Sequence, residues 1–81
     1  MKLDPAAAEA EITGILAGFL SKPMPLTGDT DMVADLGLES VQVMEFVMEV
    51  EDHYDIALDL ESLSHVRTIS ELAAAVVRSL D

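Results

Sequence analysis

Apolar side chains recur along most of this chain at the three- and four-residue spacing of an amphipathic helix, and no segment alternates as a half-buried strand would. Asp4 followed by Pro5 is a helix-start signal, after which Ile12, Ile15, Leu16 and Phe19 fall on one face and Lys22-Pro23 supplies a stop. From Pro23 to Leu38 the chain carries two prolines, two glycines and three aspartates, a turn-rich stretch. Met24, Leu26, Met32, Val33 and Leu36 within it predict a loop held down by its own apolar residues. A second helix is expected from about Ser40 to Tyr54, with Asp55 as its exit. Asp59 is placed to cap a short helical turn through about Val66, anchored by Leu60, Leu63 and Val66. Thr68 and Glu71 have capping-box spacing, so the last helix should span about Ile69 to Leu80, with Ile69, Leu72, Val76 and Leu80 inward. The expected fold is all-α: a small bundle of three main helices plus one short one, forming one domain across residues 1–81.

The second helix has two apolar faces. At about 100° per residue, with Ser40 at zero, Val43, Phe46, Val47, Val50 and Tyr54 fall between roughly 240° and 340°, wide enough for a core face. Val41, Met44 and Met48 fall between roughly 40° and 100°, and Ser40 sits between the two stripes. Glu45, Glu51 and Asp52 flank the second stripe, which makes that face apolar in the middle and acidic at its edges. Two uses are open to it: packing beneath the long loop or short helix, or docking a partner. Methionine suits docking because its unbranched thioether repacks against differently shaped surfaces.

Charge narrows the choice of partners. The 81 residues hold 16 Asp and Glu against 4 Lys and Arg, a formal net charge of −12, which opposes nucleic acid and anionic membranes and favours basic patches. There is no cysteine, so neither a disulfide framework nor a thiolate nucleophile is available. No apolar run approaches the roughly 20 residues of a membrane span, and the N-terminus lacks a signal-peptide layout. A monomeric cytoplasmic protein is the expectation.

The hydroxyl of Ser40 closes the run Asp35-Leu36-Gly37-Leu38-Glu39-Ser40. Nucleophilic catalysis needs a base within hydrogen-bond reach, and only His53 and His65 qualify by type. His53 lies about 20 Å along the same helix, and the sequence does not bring His65 near. Both histidines are expected on the surface. Asp29, Asp31 and Asp35 resemble the start of a calcium loop, but Ala34 and Ser40 stand where glycine and glutamate are required. No metal site is expected, and loop solvation and turn capping account for these aspartates. A helix N-terminus does supply unpaired N–H groups and a positive dipole end, which favour a phosphate. Gly37 would permit the sharp turn, and Leu36 and Leu38 would pin it to the core. By this reading Ser40 either begins a helix or carries a phosphodiester there.

The run Asp35 to Val41, followed by Met44-Glu45-Phe46-Val47 and Glu51-Asp52-His53-Tyr54, resembles the acyl carrier protein family, and the likeness extends from the first helix to the last. The resemblance implies a non-catalytic carrier with 4′-phosphopantetheine on Ser40, attached from coenzyme A by a phosphopantetheinyl transferase, that tethers acyl groups as thioesters. It implies a partner-binding face of Glu39, Val41, Met44, Glu45, Met48, Glu51 and Asp52, presented to acyl-loading and acyl-transferring enzymes with basic patches. It further implies an acyl cavity of Val43, Phe46, Val47, Val50, Tyr54, Leu58, Leu63 and Val66. Glu39 and Val41 depart from the family's usual aspartate and leucine, and Pro23-Met24-Pro25-Leu26 and His53-Tyr54 are unlike a housekeeping fatty-acid carrier. These features suggest a specialised member, serving lipid or secondary-metabolite biosynthesis. An aminoacyl or peptidyl carrier, or a helical interaction module with unmodified Ser40, are the alternatives.

Overall fold

The computed structural model describes residues 3–20 and 24–80, with residue 60 described by its backbone. Four helices follow one another: α1 (Pro5–Ala17), α2 (Ser40–Tyr54), α3 (Leu60–Ser64) and α4 (Ile69–Leu80). No strand occurs among the described residues, and an isolated antiparallel bridge joins Asp31 to Thr68.

The expected start signals operate as capping predicts. The Asp4 carboxylate accepts from Ala6 N at 3.3 Å, and the Asp59 carboxylate accepts from Ser62 N at 2.7 Å. Before α4 the exchange is reciprocal: Thr68 N donates to Glu71 Oε1 at 3.0 Å, and Glu71 N donates to Thr68 Oγ1 at 3.2 Å. Asp55 ends α2 in the left-handed conformation, with φ 55°, while its N–H bonds back to Glu51 O. Two endings differ from expectation. The α-helix of α1 stops at Ala17, because Gly18 weakens its continuation and Gly18, Phe19 and Leu20 close tighter turns onto Ile15, Leu16 and Ala17. The Lys22-Pro23 stop lies outside the described residues, as does the side chain of Leu60, expected to anchor the short helix. The short helix ends at Ser64 rather than near Val66, whose N–H instead closes a turn onto Leu63 O at 3.1 Å.

Burial then assigns the faces. Ala8, Ile12 and Leu16 of α1 meet Ile69, Leu72, Ala73, Ala75 and Val76 of α4, and small alanines on both sides let these helices pack closely. Phe46, Val47 and Val50 of α2 complete the core, together with Met32 and Leu38 from the loop and Leu58 beyond α2. Phe19 meets Phe46 edge-on, with ring centres 5.8 Å apart, while Val43 and Tyr54 are half-buried. Leu80 is exposed instead of inward, since it stands one turn past Val76, the last buried residue of α4. Of the loop's apolar residues Met32 is buried and Leu26 and Leu36 are half-buried, but Met24 and Val33 keep much of their surface exposed.

Electrostatics modulate this small core. The Tyr54 hydroxyl donates to Glu11 Oε1 at 2.6 Å, tying α2 to α1, and burial beside that carboxylate pushes the phenol's pKa up. Backbone N–H groups hold the carboxyls of Asp31 and Glu71 below their ordinary range, and bonds from Ser62 do the same for Asp59. A depressed folded-state pKa contributes stability above the unfolded value and loses it as pH falls through the folded value. Glu71→Gln should therefore flatten the acid side of the stability–pH curve, as measured by melting between pH 6 and about 3. Self-repulsion from a charge of −12 acts against compactness, so salt or millimolar divalent cations should raise the melting temperature. An unchanged midpoint across that series would contradict the repulsion.

Candidate functional site: Ser40 and the α2 surface

The approach to Ser40 is built by three residues with different tasks. Gly37 adopts φ 69°, a conformation that costs glycine little, and its N–H bonds Val33 O at 2.9 Å. Leu38 is buried and its N–H reaches Met32 O at 3.2 Å; Leu36 is half-buried against the same core. The turn is thus pinned on both sides of the glycine, as its sequence implied. Glu39 caps α2 with its N–H donating to Gln42 Oε1 at 2.9 Å, and Val43 N closes the first helical turn onto Glu39 O. Ser40 is the first residue of α2 and is exposed.

Beside Ser40 opens a cleft of about 210 Å³ lined by Val33, Ser40, Val43, Met44, Val47, Leu63 and Val66. Among the described residues that line it, Ser40 is the one with a polar side chain. Neither histidine takes part: His53 stands 3.6 Å from Glu11 Oε1 at the far end of α2, and His65 lines a separate notch with Ser62, Glu71 and Arg78. A hydroxyl without a base has no means of activation for nucleophilic attack. The chemistry that does fit is attachment: an accessible hydroxyl, a helix N-terminus suited to a phosphodiester, and an apolar groove at its foot.

The expected cavity residues separate into three groups. Val43, Val47, Leu63 and Val66 line the cleft; Phe46, Val50 and Leu58 lie in the closed core behind it; Tyr54 is tied to Glu11 elsewhere. Val33 and Met44 belong to the cleft as well and were not among the expected residues. Met44 carried a signal, since it lies only about 40° from Ser40 around the helix. Val33 carried none, because its position depends on how the loop returns to α2.

The second stripe of α2 is uncovered. Val41, Met44 and Met48 retain 64%, 50% and 60% of their surface, and Met44 also borders the cleft. Glu39, Glu45 and Asp52 are exposed around the stripe. Glu51 differs: it is half-buried, and its Oε2 accepts from Leu58 N at 2.7 Å, which anchors the α2–α3 connection. Two of the three loop aspartates cap turns as expected. Asp31 Oδ1 accepts from Val33 N and Ala34 N at 2.9 and 2.8 Å, and Asp35 Oδ2 accepts from Asp31 N at 2.8 Å. No helix among the described residues is long and apolar enough to cross a membrane.

Comparison with known proteins identifies the family. Residues 10–76 match the family described as phosphopantetheine attachment site. An acyl carrier protein of Syntrophobacter fumaroxidans is 31% identical over 71 residues, covering 86% of this chain and 88% of the relative. A meromycolate extension acyl carrier protein of Mycolicibacterium aurum is 28% identical over 76 residues, covering 88% and 78%. The crystal structure of a Toxoplasma mitochondrial acyl carrier protein superposes with a TM-score of 0.84 at 24% identity, covering 95% of this chain and 91% of that one, and so shares its fold. The chain belongs to the acyl carrier protein family: it is a non-catalytic carrier that bears a covalent 4′-phosphopantetheine group, receives it from a phosphopantetheinyl transferase, and exchanges acyl groups with acyl-handling enzymes.

Proposed function

We propose that Ser40 is the attachment residue, and that the arm fixed there can lie along the α2 cleft or swing toward an enzyme docked on the α2 surface. The observation that carries this reading is the exposed Ser40, the one residue with a polar side chain among the described residues that line the cleft. The prosthetic group supplies a terminal thiol on which acyl cargo is held as a thioester, chemistry that this cysteine-free chain lacks. The protein's own contribution is positional. Gly37 and its two leucines hold the hydroxyl outward, and the α2 N-terminus favours the phosphodiester. Val43, Val47, Leu63 and Val66 offer an apolar lining to a chain that folds back.

Partners dock on Val41, Met44 and Met48, with Glu39, Glu45 and Asp52 meeting basic patches; Glu51 takes part through the carboxylate oxygen not committed to Leu58. Glu39 sets which transferases act well, because its carboxylate extends one methylene beyond the family's usual aspartate. The carrier works in the cytoplasm as a monomeric single domain, in lipid biosynthesis of a specialised kind. The test is loading. The phosphopantetheinylated chain is offered to an acyl-loading enzyme and, separately, to an adenylating enzyme that charges amino acids, and adducts are read by intact mass. An acyl adduct alone is expected, whereas an aminoacyl adduct alone would move the chain to the peptidyl-carrier class.

A further inference from the structure

We propose that Asp31 is a positioning residue for cargo: its carboxylate links the loop wall of the cleft, carrying Val33, to the α3–α4 connection, carrying Val66, and so sets the opening beside Ser40. The inference rests on Ser40 bearing the arm and concerns residues that hold no part of it.

The linkage can be traced atom by atom. Asp31 Oδ1 accepts from the N–H groups of Val33 and Ala34, which fixes the turn that points Val33 at the cleft. Asp31 Oδ2 lies 3.2 Å from Arg67 Nε, and Arg67 directly follows Val66. Backbone bonds join the same two segments, with Met32 N donating to Arg67 O at 2.9 Å and Ile69 N to Thr30 O at 3.3 Å. The backbone of Asp31 also serves the approach to Ser40, since its carbonyl accepts from Asp35 N at 2.9 Å and Leu36 N at 3.3 Å.

One carboxylate therefore sits where the loop, the α3–α4 connection and the serine turn meet. Exposed ion pairs ordinarily contribute little, because solvent screens them and long side chains lose freedom in forming them. Here the arginine is 70% exposed but the Asp31 side chain only 18%, and two N–H bonds already orient the carboxylate, so little further ordering of that partner is needed. Backbone bonds hold the two segments together, whereas the parts that face the cleft are exposed or short. Val33 is 55% exposed, and α3 is only five residues long.

The test compares cargo sheltering with and without the link. Wild type, Asp31→Ala, Arg67→Ala and Arg67→Lys are loaded by a transferase from octanoyl- or acetyl-coenzyme A. Loading is confirmed by mass, and each product is melted. In wild type the octanoyl form should melt higher than the acetyl form by on the order of 5 °C, because a sheltered chain stabilises the native state. That difference should fall by at least half in Asp31→Ala and Arg67→Ala and persist in Arg67→Lys, which keeps the charge. Octanoyl loading should also shift the Val33 and Val66 methyl resonances in wild type and leave them nearly unmoved in Arg67→Ala. Should Asp31→Ala not melt cooperatively, Arg67→Ala decides, since it leaves the turn bonds in place. An equal octanoyl–acetyl difference in all four proteins, or none in wild type, overturns the inference. Failure of wild type to load at Ser40 instead overturns the attachment assignment on which it depends.

Discussion

Phe46→Ala is expected to cost about 3–5 kcal/mol, the usual range for removing a fully buried phenylalanine, and to lower the melting temperature by more than about 10 °C. Phe46 has no exposed surface and heads the fully buried side chains by size. Its loss removes the edge-on partner of Phe19 and leaves a void between α2 and the segment following α1. A domain of this size has roughly 4–12 kcal/mol of stability in all, so this one substitution consumes a large share of it. Thermal and urea unfolding followed by circular dichroism check the value. A loss below about 1 kcal/mol would mean that the stripe from Val43 to Tyr54 is not the core face of α2.

The neighbouring stripe should behave in the opposite way. Met44→Ala should leave melting within about 0.5 kcal/mol of wild type, as for other exposed positions, while reducing kcat/KM for a partner enzyme by roughly 5–30-fold. Glu45→Lys should act mainly on encounter, raising KM by about tenfold at low salt and less at high salt, because it reverses a charge facing a basic patch. Glu49→Lys is the control. It makes the same charge change on an exposed residue of α2, but about 140° around the helix from Met44, and should alter transfer by less than about threefold. Equal losses from the two lysine substitutions would indicate a general charge effect in place of a docking face.

Much of this arrangement was legible in the sequence because local signals carry it. Asp4, Asp59 and the Thr68/Glu71 pair act within a single turn, and Gly37 between two leucines is likewise a local device. The two stripes of α2 follow from angular position alone, although their exposure does not. What the sequence left out depends on how separate segments meet. Val33 is apolar and looked like loop packing, yet it stands at the cleft because the loop returns past α2 to pair with residues 67–70. Leu80 continued the helical period faithfully, but the period runs on past the last residue that α1 can cover. The aspartates failed the calcium-loop pattern, and that failure was informative: Asp31 spends its carboxylate on backbone N–H groups and Arg67. Glu51 lay at the edge of the acidic face by angle, and only the path of the chain after Asp55 shows that Leu58 N reaches it.

The central claim is that Ser40 bears the arm, and peptide mass spectrometry after incubation with coenzyme A and a phosphopantetheinyl transferase tests it most directly. The account predicts that wild type gains one phosphopantetheinyl group, located on the peptide containing Ser40, and that Ser40→Ala gains none while melting cooperatively like wild type. An adduct on another residue, an adduct on Ser40→Ala, or no added mass with two unrelated transferases would contradict it.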